Sequence, residues 1–95
     1  MYAQIVKFKL KADSSHELFI ELAGEMASWL RGRRGFVAYE LYEGDVFWSD
    51  RIVWEDKIYA EEGLKAFLST EMGKRLQGMV EDDFSSFFGQ VVVAT

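Results

Sequence analysis

Three of the four stretches that read as strands are apolar at consecutive positions, and this limits what the chain can fold into. Residues 35–43 carry Val37, Tyr39 and Leu41 on one parity and Phe36, Ala38 and Tyr42 on the other. Residues 46–55 set Trp48, Ile52 and Trp54 against Phe47 and Val53, and residues 87–94 run through Val91-Val92-Val93. A strand with one face in water alternates apolar and polar residues, whereas strands covered on both faces read as these do. Only residues 2–11 alternate, with Val6, Phe8 and Leu10 opposed to Lys7, Lys9 and Lys11.

Helical periods separate these stretches. Leu18, Phe19, Leu22, Ala23, Met26, Trp29 and Leu30 recur at helical spacing after Asp13-Ser14-Ser15, and Ser14 with Glu17 fits a capping box. Arg31 and Gly32 supply the charge and the stop expected at a helix C-terminus. Gly44-Asp45 marks a turn that makes residues 35–55 a β-hairpin. Asp56 is placed to cap a second helix over 57–68, with Ala60, Leu64, Phe67 and Leu68 inward. A short third helical piece follows with Met72, Leu76, Met79 and Val80. The order β-α-β-β-α-β predicts an α+β, ferredoxin-like domain over residues 1–95: a four-stranded antiparallel sheet with helices on one face. The other face then needs a cover, and a second copy of the same sheet, forming a homodimer, supplies it.

Composition points the same way. The 95 residues are 49% hydrophobic and include eight Phe, four Tyr and three Trp, more ring than one small interior hides. A partner chain or a ligand pocket would take the surplus. A net charge of −5 argues against nucleic acid and against an anionic membrane surface. The absence of cysteine removes thiolate chemistry. Residues 1–7 lack a signal-peptide pattern, and no apolar run approaches a membrane span, so a soluble cytoplasmic protein is expected. Arg34-Gly35-Phe36-Val37-Ala38-Tyr39 has the look of an RNA-stacking signature, but it lies on the second strand and has Ala38 where a ring is needed.

The strand order, Gly35-Phe36 at the second strand, Arg51-Ile52-Val53-Trp54-Glu55-Asp56 at the third and Phe67-Leu68-Ser69-Thr70 after the second helix resemble a known family. The chain is similar to the antibiotic-biosynthesis-monooxygenase-like proteins of the dimeric α/β-barrel superfamily, in which a Gly-Phe pair opens the second strand and Trp-Glu ends the third. The resemblance implies two sheets joined into a barrel across a dimer, with a pocket in each subunit between sheet and helices. It implies cofactor-independent oxidation of phenols to quinones, haem degradation, or no known reaction, since the family includes all three.

Within that frame Trp54 matches the family's tryptophan, and Trp48 and Ile52 share its parity. They are expected to wall a pocket for a flat aromatic ligand, or to be core beneath the second helix. Asp50 puts an acid in the middle of the same apolar face. A buried carboxyl without a partner is driven toward neutrality and can act as a general base toward a phenol. Alternatively the face is open there, or an Arg or Tyr hydroxyl pairs with it. Tyr39 and Tyr42 are candidate substrate contacts, according to which face each takes. Arg51, on the opposite parity, is expected in an inter-subunit ion pair.

Other candidates carry less chemistry. His16, the sole histidine, lies off the apolar stripe and reads as solvated helix surface. Haem-degrading relatives need an Asn on the first strand, where this chain has Val6, and a His after the tryptophan, where it has none. Glu81-Asp82-Asp83 lacks the spacing of a calcium loop, and neither a metal nor a cofactor is expected. The expected function is cofactor-independent monooxygenation of a small aromatic or quinol-type molecule by Asp50 and Trp54. The competing expectation is a non-catalytic dimeric module that binds a small ligand. A pocket above ~300 Å³ with Trp54 and an inward carboxyl favours the enzyme, and a cavity filled by Phe19, Met26 and Phe67 favours the module.

Overall fold

The alternation at the N-terminus forms β1 (Tyr2–Phe8), the strand on which the sheet is built in the computed structural model, which describes residues 1–95. It is followed by α1 (His16–Arg31), β2 (Phe36–Glu43), β3 (Trp48–Trp54), α2 (Lys57–Leu68), α3 (Glu71–Met79) and β4 (Ser85–Gln90). The sheet order is β2-β3-β1-β4 and every pairing is antiparallel, as a ferredoxin-like βαββαβ fold requires.

The helix termini follow capping chemistry with one shift. Ser15, not Ser14, caps α1, its hydroxyl accepting from the Leu18 N–H at 3.2 Å. Ser14 instead donates to the Met79 carbonyl at 2.9 Å and ties the loop before α1 to the end of α3. The Ser14–Glu17 capping box therefore does not form. Asp56 stands at the N-cap of α2 without a side-chain hydrogen bond, and Thr70 caps α3 through the Gly73 N–H at 3.0 Å. Leu18, Leu64 and Leu68, expected on inward stripes, are exposed.

Two features of the sheet depart from simple alternation. A bulge between Phe36 and Ala38 adds a residue at Val37, so Phe36 turns to the same face as Tyr39 and Leu41. Gly35, just before it, has φ +80°, a left-handed conformation, and a Cβ there would overlap the Tyr59 ring. The last strand also differs: it starts at Ser85 and stops before the three valines. Register explains the stop. Gln90 is paired with Tyr2, the first residue of β1, and the Val91 N–H donates to the Met1 carbonyl at 2.8 Å. Val92 and Val93 are 88% and 83% exposed.

Register also sorts the two faces. Residues directly opposite across a ladder share a face, so Gln4, Val6 and Phe8 of β1 lie with Ile52, Asp50 and Trp48 of β3. The helices pack on this side, in two separate groups. Phe8, Phe19 and Trp48 form one buried cluster, with Leu76 and Met79 against it. Leu30, Trp54 and Ala60 form the other, with Phe36 and Tyr59 against it. The opposite face carries Ala3, Ile5, Ala38, Val53 and Phe87, but also Lys7, Glu40, Tyr42 and Arg51. It is therefore less apolar than consecutive hydrophobic residues suggested, because the bulge removes Phe36 and the register removes the valines.

Candidate functional site

The two buried clusters are held apart by β3 itself. Trp48 and Trp54 are six residues apart on one face of an extended strand, about 20 Å along it. Between them the sheet presents Asp50 and Ile52, flanked by Val6 and Gln4 on β1 and by Leu41 and Tyr39 on β2. Above this floor lies a cavity of about 270 Å³, lined mostly by hydrophobic side chains. Met26 and Trp29 of α1 and Phe67 of α2 contribute to its walls, and Leu64, Leu68, Phe84 and Phe88 are its exposed hydrophobic members.

Trp54 closes one end. It is 1% exposed, its indole N–H donates to Gln4 Oε1 at 2.9 Å, and Phe36 meets it edge-on with ring centroids 6.0 Å apart. Gly63 of α2 rests on the indole so closely that a Cβ would overlap the ring, and the missing side chain lets helix and sheet approach. Gln4 is a site residue that the alternation did not single out. A polar residue at the apolar parity of β1 was its signal, the same signal that identified Asp50.

Asp50 is the chemical centre of the floor. Its Oδ1 is buried and has no hydrogen-bond partner, since Val6 and Leu41, directly opposite on the neighbouring strands, have only apolar side chains. Burial pushes its pKa up to about 7. Tyr39, also on the lining, is raised well above the ordinary phenol value, mainly by burial and further by the Asp50 charge, and so stays protonated. Neither the Arg nor the Tyr partner considered for Asp50 reaches it.

Of the six residues expected at the site, Tyr39, Asp50, Ile52 and Trp54 line this cavity together. Trp48 does not; it is buried edge-on against Phe19, where α1 covers the end of the strand. Tyr42 lies on the opposite face of the sheet, paired across the ladder with Ser49. Its hydroxyl donates to Glu40 Oε1 at 2.7 Å, and Arg51 Nη1 donates to the same oxygen at 2.7 Å, so Arg51 is paired within its own chain. Tyr42 and Arg51 hydrogen bonds hold the Glu40 carboxyl below the usual range. His16 is exposed beside Glu43, with Nε2 3.1 Å from Oε1, and lies outside the cavity that Val6 helps to line. No three His, Cys, Asp or Glu side chains are grouped to hold a metal ion, and no helix is long and apolar enough to cross a membrane. The cavity volume falls just below the threshold set for the enzyme reading, and Phe19, Met26 and Phe67 line the space without filling it.

No protein-family model and no curated protein matches the sequence. Solved structures do match. The cofactor-independent oxygenase SnoaB from Streptomyces nogalater, in a variant form, superposes with a TM-score of 0.82 at 15% identity over 98% of this chain and 94% of that one. The ActVA-Orf6 monooxygenase of Streptomyces coelicolor, solved with nanaomycin D, gives 0.77 at 18% identity, covering 99% and 89%. At3g17210 from Arabidopsis thaliana gives 0.83 at 13% identity, covering 100% and 99%. The chain has the fold of the antibiotic biosynthesis monooxygenases. That fold accounts for the sheet order, the helices on one face and the space between them, as the sequence resemblance implied.

On this monooxygenase fold the cavity carboxyl has a measurable cost. Asp50 titrates near 7 when folded and near the ordinary carboxylate value when unfolded, so the native state holds the extra proton between those values. Stability therefore falls as pH rises from about 4 to 7 and stays reduced above that. Asp50→Asn is expected to exceed the wild type in urea resistance at pH 8 by on the order of 2–4 kcal/mol, and to show no such advantage at pH 4. A gap that does not change with pH would show that Asp50 is solvated or paired.

Proposed function

We propose that the protein is a cofactor-independent monooxygenase of a small phenol- or quinol-type aromatic molecule, with Asp50 as its general base. The observation that carries this reading is an unpartnered carboxyl, poised near neutral pH, on the floor of an aromatic-walled cavity. A general base works best when its pKa lies close to the working pH. The Asp50 carboxylate takes the phenolic proton, and the electron-rich ring then reacts with dioxygen at an unsubstituted ring carbon. One oxygen atom becomes the new quinone carbonyl. The other leaves as water with the two hydrogens lost from hydroxyl and ring. Trp54 and Ile52 hold the ring plane, and Tyr39, kept protonated, offers a hydrogen bond to an oxygen substituent. ActVA-Orf6 was solved in complex with the ligand nanaomycin D, and a small ligand in the cavity of this chain accords with that.

Aerobic and anaerobic incubation with a panel of polyphenols tests the reaction. The wild type is expected to form quinone only with oxygen present, with kcat/KM rising as pH passes through about 7. Asp50→Asn should lower kcat/KM by roughly 10²–10⁴-fold, and Trp54→Phe, which also loses the Gln4 bond, should act mainly through KM. If no quinone forms, or if both variants keep full activity, the assignment is lost.

The second reading, a non-catalytic ligand-binding module, has one observation in its favour: no Lys, Arg or His lines the cavity to stabilise a phenolate. Both readings share an assembly. Ile5, Tyr42 and Phe87 remain exposed on the helix-free face, and only 13 of 95 residues are buried in the single chain. A second copy packed on that face covers them. Sedimentation at low micromolar concentration should give twice the 11.0 kDa chain mass, and a monomer there would remove the dimer.

A further inference from the structure

Every ionised side chain that can form on the cavity lining carries the same sign. Asp50 stands on the floor, Glu81 and Asp82 follow α3, and no Lys, Arg or His takes part. The Arg33 guanidinium sits 5.0 Å from the Trp29 ring centroid without itself lining the space. The side-chain donors on the lining, in Gln4, Trp29, Tyr39, Trp54 and Gln77, are uncharged, the Trp54 N–H being taken up by Gln4, and the rest of the wall is chiefly aliphatic and aromatic.

An anionic group entering this space loses water and meets no opposite charge in return. Burial of an unpaired charge is among the costliest events a protein interior can host. Once Asp50 ionises, its charge would also repel the anion. A hydroxyl or amino group finds the reverse conditions, because Asp50 Oδ1 is a buried acceptor without a donor. The aromatic walls, Trp29, Trp54, Phe67 and Phe88 among them, fit a planar ring.

We propose that the cavity selects an uncharged planar aromatic molecule bearing a hydroxyl or amino donor, and excludes rings that carry a carboxylate, sulfate or phosphate. This deepens the proposed function and rests on the same cavity. It narrows the substrate class to neutral phenols, quinols and aryl amines. It also requires that the reaction supplying the substrate deliver it without a free acid group, as a lactone, an ester or a decarboxylated ring.

Matched naphthalene probes separate the terms, read by quenching of tryptophan fluorescence and by calorimetry at pH 7.5 and low salt. 2-Naphthol is expected to bind at least tenfold more tightly than 2-naphthoate, and more tightly than naphthalene, which has no donor. Asp50→Asn should narrow the naphthol–naphthoate gap by at least threefold, with its fold checked by circular dichroism. Glu81→Gln with Asp82→Asn, which leaves the sheet floor intact, should narrow it by less. Equal or tighter binding of 2-naphthoate to the wild type overturns the proposal. Binding of none of the three probes overturns it together with the cavity as a ligand site. Quinone formation that proceeds equally well from a phenol and its carboxylated analogue overturns the selectivity alone and leaves the oxygenase reading standing.

Discussion

Two tryptophans spaced six residues apart on one face of β3 determine what can be built above the sheet. Trp48 gathers Phe8 and Phe19 at one end, and Trp54 gathers Leu30 and Ala60 at the other. Each cluster is close-packed, as protein interiors are. The stretch between them is too long for either cluster to fill. Gly63 sharpens this division, because its lack of a side chain lets α2 settle on the Trp54 indole. The cavity is thus a consequence of where the large rings lie, and its floor is whatever β3 and its neighbours place between them.

What they place there is a carboxyl group. A valine at position 50 would leave an ordinary apolar void, whereas Asp50 charges only at the expense of desolvation. The fold tolerates this because the group can remain neutral over part of the ordinary pH range. Such a cost is hard to explain by packing, since Oδ1 is bonded to nothing. Strain of this kind collects where a group must be available to a ligand. The same carboxyl unites the proposed base catalysis, the preference for hydrogen-bond donors and the fall of stability with rising pH.

Much of this was legible in the sequence, and the exceptions have physical causes. The α1 stripe was readable because a 16-residue helix repeats its apolar period several times. Asp50, Ile52 and Trp54 were placed on one face by parity alone, and β3 runs without a bulge through them. β2 contains one, so a single extra residue at Val37 moves Phe36 across the sheet while Tyr39 and Leu41 keep their side. Tyr42 could be assigned only once its partner Ser49 was known. The valine run looked like strand core because its composition favours strands, yet a strand ends where its partner ends, and β1 begins at Tyr2. Trp48 has the right parity but lies at the strand's end, where α1 covers it. That is a matter of helix placement, which local pattern does not encode. Gln4 carried the same signal as Asp50, a polar residue in an apolar row.

The ionisation of Asp50 is the point on which the account stands or falls, and it can be observed directly. Carbon-13 NMR of aspartate side-chain carboxyls, followed from pH 3 to 9 with Asp50→Asn to assign the resonance, reports that one group. A midpoint near 7 is the result the account requires. A midpoint near 4, the value of a solvated aspartate, would contradict it.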